Sequence, residues 1–176
     1  MKTRTEKILV ILKYVALLGG IGYCIECGGQ LVSFVASFKN LEWAKQTYNV
    51  NQSWFYIREY SMSYYACTMS LLILLSGLKA FTWFKVVNLL TNLRITNPFS
   101  MEIAEKIERI GYTLLGVWVI GIIGKIYLEW LIKTTHIPIT GPGIGDEYLF
   151  IAGIVYIISQ IFKRGIEIQE ENQLTV

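Results

Sequence analysis

The stretch Ile110–Ile132 reads IGYTLLGVWVIGIIGKIYLEWLI. As a helix it is about 34 Å long at 1.5 Å per residue, enough to cross a hydrocarbon core of about 30 Å. A strand of a membrane barrel would alternate apolar and polar residues over about 10 positions. Here Val117–Ile123 is continuously apolar, as is Leu71–Leu75, so a helix is the reading. Three further stretches are of the same kind, at Ile8–Phe38, Tyr64–Val87 and Ile144–Phe162, the last being the shortest. The predicted fold class is all-α: an integral membrane four-helix bundle forming one domain over residues 1–176, with no internal repeat or linker.

Composition agrees with that reading. Of the 176 residues, 53% belong to the set AVILMFWYC and only 16% are charged, against about 25% charged in a soluble domain. Mean hydropathy is +0.45. Such a chain is neither disordered nor a nucleic-acid-binding tail. The net charge of +3 is small and dispersed, so direct nucleic-acid binding is not expected. One histidine, His136, and one aspartate, Asp146, leave few parts for metal or general-base chemistry. No catalytic residue, metal site or cofactor is predicted.

Orientation follows from the flanking cations. Lys2, Arg4 and Lys7 precede an apolar run too long for the about 7–15 residues of a signal peptide, so an uncleaved first span is expected. Four spans put both termini on one side. That side would carry ten Lys and Arg residues, Arg94, Lys106, Arg109 and Lys163 among them, against four (Lys39, Lys45, Arg58, Lys133) on the other. Both termini are therefore expected in the cytoplasm, in a multi-pass protein of the inner membrane.

The outer loop near Lys39–Met62 holds Trp43, Tyr48, Trp54, Phe55, Tyr56 and Tyr60, residues that favour the headgroup zone. It is expected on the outer surface, with a short amphipathic helix. The second outer loop contains Pro138, Gly141, Pro142, Gly143 and Gly145, and Asp146 can cap the fourth helix. On the cytoplasmic side the second helix should run from Tyr64 to Leu93, about 45 Å, and Pro98 ends it. Ser100 can cap the next helix, where Glu102–Lys106 and Glu105–Arg109 are i,i+4 pairs with the acid first.

Ionisable residues inside a span cost about 2.5–3.5 kcal/mol on insertion scales. Lys13 and Lys79 lie near the cytoplasmic ends of their helices and can snorkel. Glu26 needs another explanation. Gly19, Gly22, Glu26, Gly29 and Ser33 recur at spacings of 3 and 4, a small-residue seam that would turn Glu26 toward a neighbouring helix. Lys125, about 22 Å beyond Ile110, reaches a similar depth. A pair between Glu26 and Lys125 across the first and third helices is expected, with Gln30 and Glu129 completing the cluster. It would serve either to fix helix register or as an outward-facing polar pocket for a small ligand or a proton.

Cys24 and Cys27 form a C-x-x-C, and Cys67 lies on the second span. Thiol oxidases keep reactive cysteines where substrate thiols can reach them, whereas this pair lies within a helix, where i,i+3 cysteines have poor disulfide geometry. The three are read as small, buried apolar residues.

Two segments carry a family resemblance. One is Asn97-Pro98-Phe99-Ser100 followed by Glu102, Ala104, Ile107 and Gly111; the other is the ending FKRGIEIQEENQLTV over 162–176. Both resemble the domain of unknown function 2975 family of bacterial membrane proteins, with Gln173 standing where an acid is the rule. The resemblance covers nearly the whole chain. It implies four spans and membrane location, no assigned activity, and a small cytoplasmic helix-turn-helix transcriptional regulator as partner. A cytoplasmic face of Asn97, Pro98, Phe99, Arg164, Gly165, Glu171 and Asn172 is the candidate partner surface, the tail continuing the fourth helix as an acidic surface suited to a basic regulator. The leading functional reading is a non-enzymatic regulatory or sensory membrane protein. The alternatives are a small transporter or ligand-binding protein using the Glu26/Lys125 pocket, which as a transporter would require a homodimer, and, more remotely, a membrane thiol oxidoreductase.

Overall fold

A computed structural model describes residues 4–39, 52–93, 100–139 and 147–174. The described residues form five helices and no strand: α1 (Arg4–Lys39), α2 (Gln52–Tyr60), α3 (Met62–Asn92), α4 (Met101–Thr135) and α5 (Glu147–Leu174). Four of them, all but α2, are long and apolar enough to cross a membrane. Their outward faces are apolar, with Ile25 and Phe150 each 71% exposed, the surface expected of a protein whose solvent is lipid.

Helix packing follows chain order. α1 packs on α3, α3 on α4 and α4 on α5, while α2 rests on α3. α3 therefore lies between α1 and α4. The end of the bundle carrying both chain termini is called here the termini end, and the end carrying α2 the loop end.

The helix boundaries have local causes. Ser100 Oγ accepts from the Ile103 amide at 3.4 Å, capping α4 as its sequence predicts. Glu102–Lys106 and Glu105–Arg109 both form, at 2.5 and 3.4 Å. α4 closes at His136, whose left-handed backbone (φ 56°) lets its amide bond the Ile132 carbonyl at 2.9 Å. The lone histidine thus has a structural post at a helix end. The expected cap at Asp146, the Asn97-Pro98-Phe99 turn, Trp43 and Tyr48 lie outside the described residues.

The short helix expected in the first loop is present as α2. It does more than lie on a surface. Trp54 and Ile57, one turn apart, are buried with Tyr65 and Met69 of α3 and Leu131 of α4. One residue, Ser61, separates α2 from α3, its amide bonding the Ile57 carbonyl at 2.8 Å. Arg58 Nη2 donates to the carbonyl of Ser37 in the last turn of α1, where helix carbonyls lack partners and cations are favoured.

The face of α1 that meets α3 differs from the expected seam by one position. Ala16, Gly20, Tyr23, Cys27, Gln30, Phe34 and Ser37, at alternating spacings of 4 and 3, form the inward stripe, all buried or half-buried. Gly22 and Gly29 have open space beside them, and Glu26 is exposed. The cause is the bulk on α3. Trp83 covers Gly19, at 3.0 Å from where a Cβ would stand, and with Phe84 it covers Gly20. At Gly19 a Cβ would crowd the indole, while at Gly20 it would make ordinary contact, so the fit of these rings against the two glycines favours the observed turn of α1.

Candidate functional site

The predicted polar cluster divides in two. Gln30 Nε2 donates to Glu26 Oε1 at 3.3 Å, and Ser76 Oγ of α3 donates to Gln30 Oε1 at 2.6 Å, so Gln30 belongs to the α1–α3 contact and the exposed Glu26 is joined to it only through Gln30. Lys125 and Glu129 are exposed on α4, beyond α3, and among the described residues neither makes an ion pair. Glu26 and Lys125 are not joined, because the helices that carry them are not neighbours. Lys125 lines a cavity of about 30 Å³ with Thr68, Gly121 and Tyr127. That volume holds a water, not a metabolite.

The structure instead gathers Tyr23 of α1, Lys79 of α3 and Tyr148 of α5. Lys79 Nζ stands 5.4 Å from the Tyr23 ring centroid and 5.7 Å from that of Tyr148, both within cation–π range. The two tyrosines are thus brought near one another, and the carboxylates of Glu147 and Glu26 lie close enough to Tyr148 to act on it electrostatically. Lys79 was expected to snorkel toward the termini end. Side chains on a helix lean toward its N-terminus, and for α3 that is the loop end, so the ammonium is carried inward to the rings.

Tyr148 reaches this position because α5 is displaced along α4. Gly111 of α4 meets the backbone of Ala152 and Tyr156, a Cβ there standing 3.4 Å from the Tyr156 amide nitrogen. From that contact α4 continues about 36 Å to its loop end, while α5 has only about 10 Å left before its first residue. α5 thus begins about 25 Å short of the loop end. Level with its first turn, the Trp118 indole N–H of α4 is buried with no acceptor among the described residues.

The thiols point differently from the expectation. Cys24 and Cys67 are exposed, whereas Cys27 is half-buried, its Sγ 3.7 Å from the Ile73 carbonyl of α3. All three are free. The inward stripe of α1 admits position 27 and excludes position 24. Among the described residues no group of three His, Cys, Asp or Glu could hold a metal.

Of the predicted partner face, Arg164 pairs with Glu167 at 2.7 Å, Glu171 is exposed, and Gly165 and Asn172 lie within α5. Beside them Glu108 of α4 accepts from Lys163 at 3.0 Å and from Gln160 at 3.1 Å, binding α4 to α5. Glu108 precedes the apolar span that begins at Ile110, and Lys163 follows the one that ends at Phe162. The hydrogen bond from Lys163 holds the Glu108 carboxyl below its ordinary value, against the opposing effect of burial. A carboxyl lowered on folding stabilises the protein above the ordinary carboxylate range, and that contribution is lost as pH falls through the lowered value. Glu108→Gln should therefore lower the melting temperature of the detergent-solubilised protein at pH 7, and the difference from the parent should shrink as the pH is lowered below the ordinary carboxylate range. Equal melting of parent and variant at pH 7 would show that the pair contributes nothing.

Sequence reasoning missed Tyr23, Lys79 and Tyr148 as a group. Tyr23 was visible as a member of the 4–3 stripe of α1. Tyr148 was not, since the displacement of α5 leaves no mark in spacing or composition. Neither a curated protein nor a solved structure matches the chain. The model of one family does, and it spans residues 11–176. With four apolar helices and a match over nearly its whole length, the chain belongs to the family described as protein of unknown function, DUF2975.

Proposed function

We propose that this protein is a non-enzymatic regulatory or sensory protein of the bacterial inner membrane, with both termini in the cytoplasm and a cytoplasmic partner docked on its C-terminal helix. The observation that carries the reading is the continuation of α5. The helix runs from the end of its apolar stretch at Phe162 to Leu174, a projection of about 18 Å. Ile166 is buried and seats it, while Ile168 is 46% exposed among the exposed acids Glu167, Glu170 and Glu171. An acidic helix with an apolar residue on its surface suits a basic partner, steering its approach by charge. A small helix-turn-helix regulator has that character. The excess of Lys and Arg at the termini end supports the cytoplasmic placement.

A transporter built on Glu26 and Lys125 has less support, since those residues flank α3 without meeting. A thiol oxidoreductase has least, with Cys24 exposed and Cys27 half-buried.

The test is co-purification of the full chain from native membranes. A double variant, Glu170→Lys with Glu171→Lys, should leave expression and melting unchanged and reduce partner recovery at least about tenfold, the factor for about 1.4 kcal/mol. Undiminished recovery of every partner would remove the tail as the docking surface.

A further inference from the structure

We propose that Tyr23 and Tyr148 form an intramembrane cage for a lipophilic organic cation, an ammonium or phosphonium bearing apolar groups, and that Lys79 is the tethered cation filling it in the ligand-free state. This goes beyond the regulatory reading, to which it adds the chemical class of a signal.

The geometry selects the charge of the ligand. Two ring faces from different helices flank one point, and the ammonium of Lys79 occupies it at 5.4 and 5.7 Å. Aromatic faces are negative, and paired rings are a recurrent means of holding quaternary ammonium groups. Glu26 and Glu147 lie within electrostatic reach of Tyr148, so two acids and one lysine act on the charge around the rings. A phosphate or carboxylate would meet ring faces and acids of its own sign.

The site can also exchange its occupant. Among the described residues Lys79 makes no ion pair, so only its ring contacts must be given up. A flexible four-carbon stem can then carry the ammonium toward the termini end, as snorkelling lysines do. α1 and α5 do not share the broad packing that joins the other helix pairs, so the cage lies where the two helices meet only locally and its side can face lipid. Entry from lipid requires apolar substituents on the ligand. The exposed carboxylate of Glu26, oriented by Gln30, stands on α1 at that side.

Equilibrium binding of radiolabelled tetraphenylphosphonium to the purified full-length chain in detergent tests the proposal. No partner is present, so the result is independent of the tail variants. Saturable binding is expected. Tyr148→Leu should weaken it at least about tenfold, while Tyr148→Phe, which keeps the ring face, should bind like the parent and serves as the folding control. Glu26→Gln should weaken binding several-fold. Lys79→Met, which removes the tethered competitor, should tighten it. Absence of saturable binding to both the parent and Lys79→Met would overturn the proposal, as would equal affinities for Tyr148→Leu and Tyr148→Phe. Weaker binding by Lys79→Met would overturn the role given to the lysine.

Discussion

Trp54→Ala is expected to release α2 from the bundle, at a cost of about 3–5 kcal/mol for truncating a buried aromatic side chain. Trp54 is 7% exposed, and with Ile57 and Tyr65, both 0% exposed, it forms the centre of the loop-end core. α2 has only nine residues and would not persist by itself in water. Its order depends on that contact and on the Arg58 bond to the Ser37 carbonyl. Losing the indole leaves a cavity that α3 and α4, held by long helical contacts, cannot close. The measurement is limited trypsin digestion of the detergent-solubilised protein. Parent chain should resist cutting after the half-buried Arg58, and the variant should be cut there while the spanning helices stay intact. Equal resistance would mean that α2 is held by something other than this core.

Gly111→Leu is expected to part α4 from α5. The Cβ alone would stand 3.4 Å from the Tyr156 amide nitrogen and 3.5 Å from the Ala152 carbonyl oxygen. Both are backbone atoms of a continuous helix and cannot step aside as a side chain could. Overpacking of this kind typically costs about 1–3 kcal/mol, occasionally more. Here it also draws Glu108 away from Lys163 and Gln160, which bridge the same two helices nearby. The melting temperature should fall, and binding at the Tyr23–Tyr148 cage should weaken as α5 shifts. Gly116→Leu is the control, since nothing lies within 4 Å of a Cβ at that position. Equal melting of the two variants would disprove close approach at Gly111.

Much of the fold was legible before any packing was known. Continuous apolar runs specified four helical spans, because a backbone in lipid must satisfy its own hydrogen bonds. The Ser100 cap, the two acid-first pairs of α4 and the helical continuation of the tail also follow from local rules. The candidate site was less legible. Gln30 and Glu26 do meet, being one turn apart on one helix. Their assignment to a partner on the third span failed because depth along a helix was known while its rotation and neighbours were not.

The division has a physical basis. Sequence by itself determined which segments cross the membrane, where most helices begin and end, and how few ionisable groups need an explanation inside it. These depend on hydrogen bonds and hydropathy within a single segment. Tertiary structure alone decided that α3 separates α1 from α4, that α1 is turned by one position where the rings of Trp83 and Phe84 fit against it, and that α5 starts deep enough for Tyr148 to share Lys79 with Tyr23. Rotation and axial offset are set by how the side chains of two helices fit together, and neither helix carries that information alone.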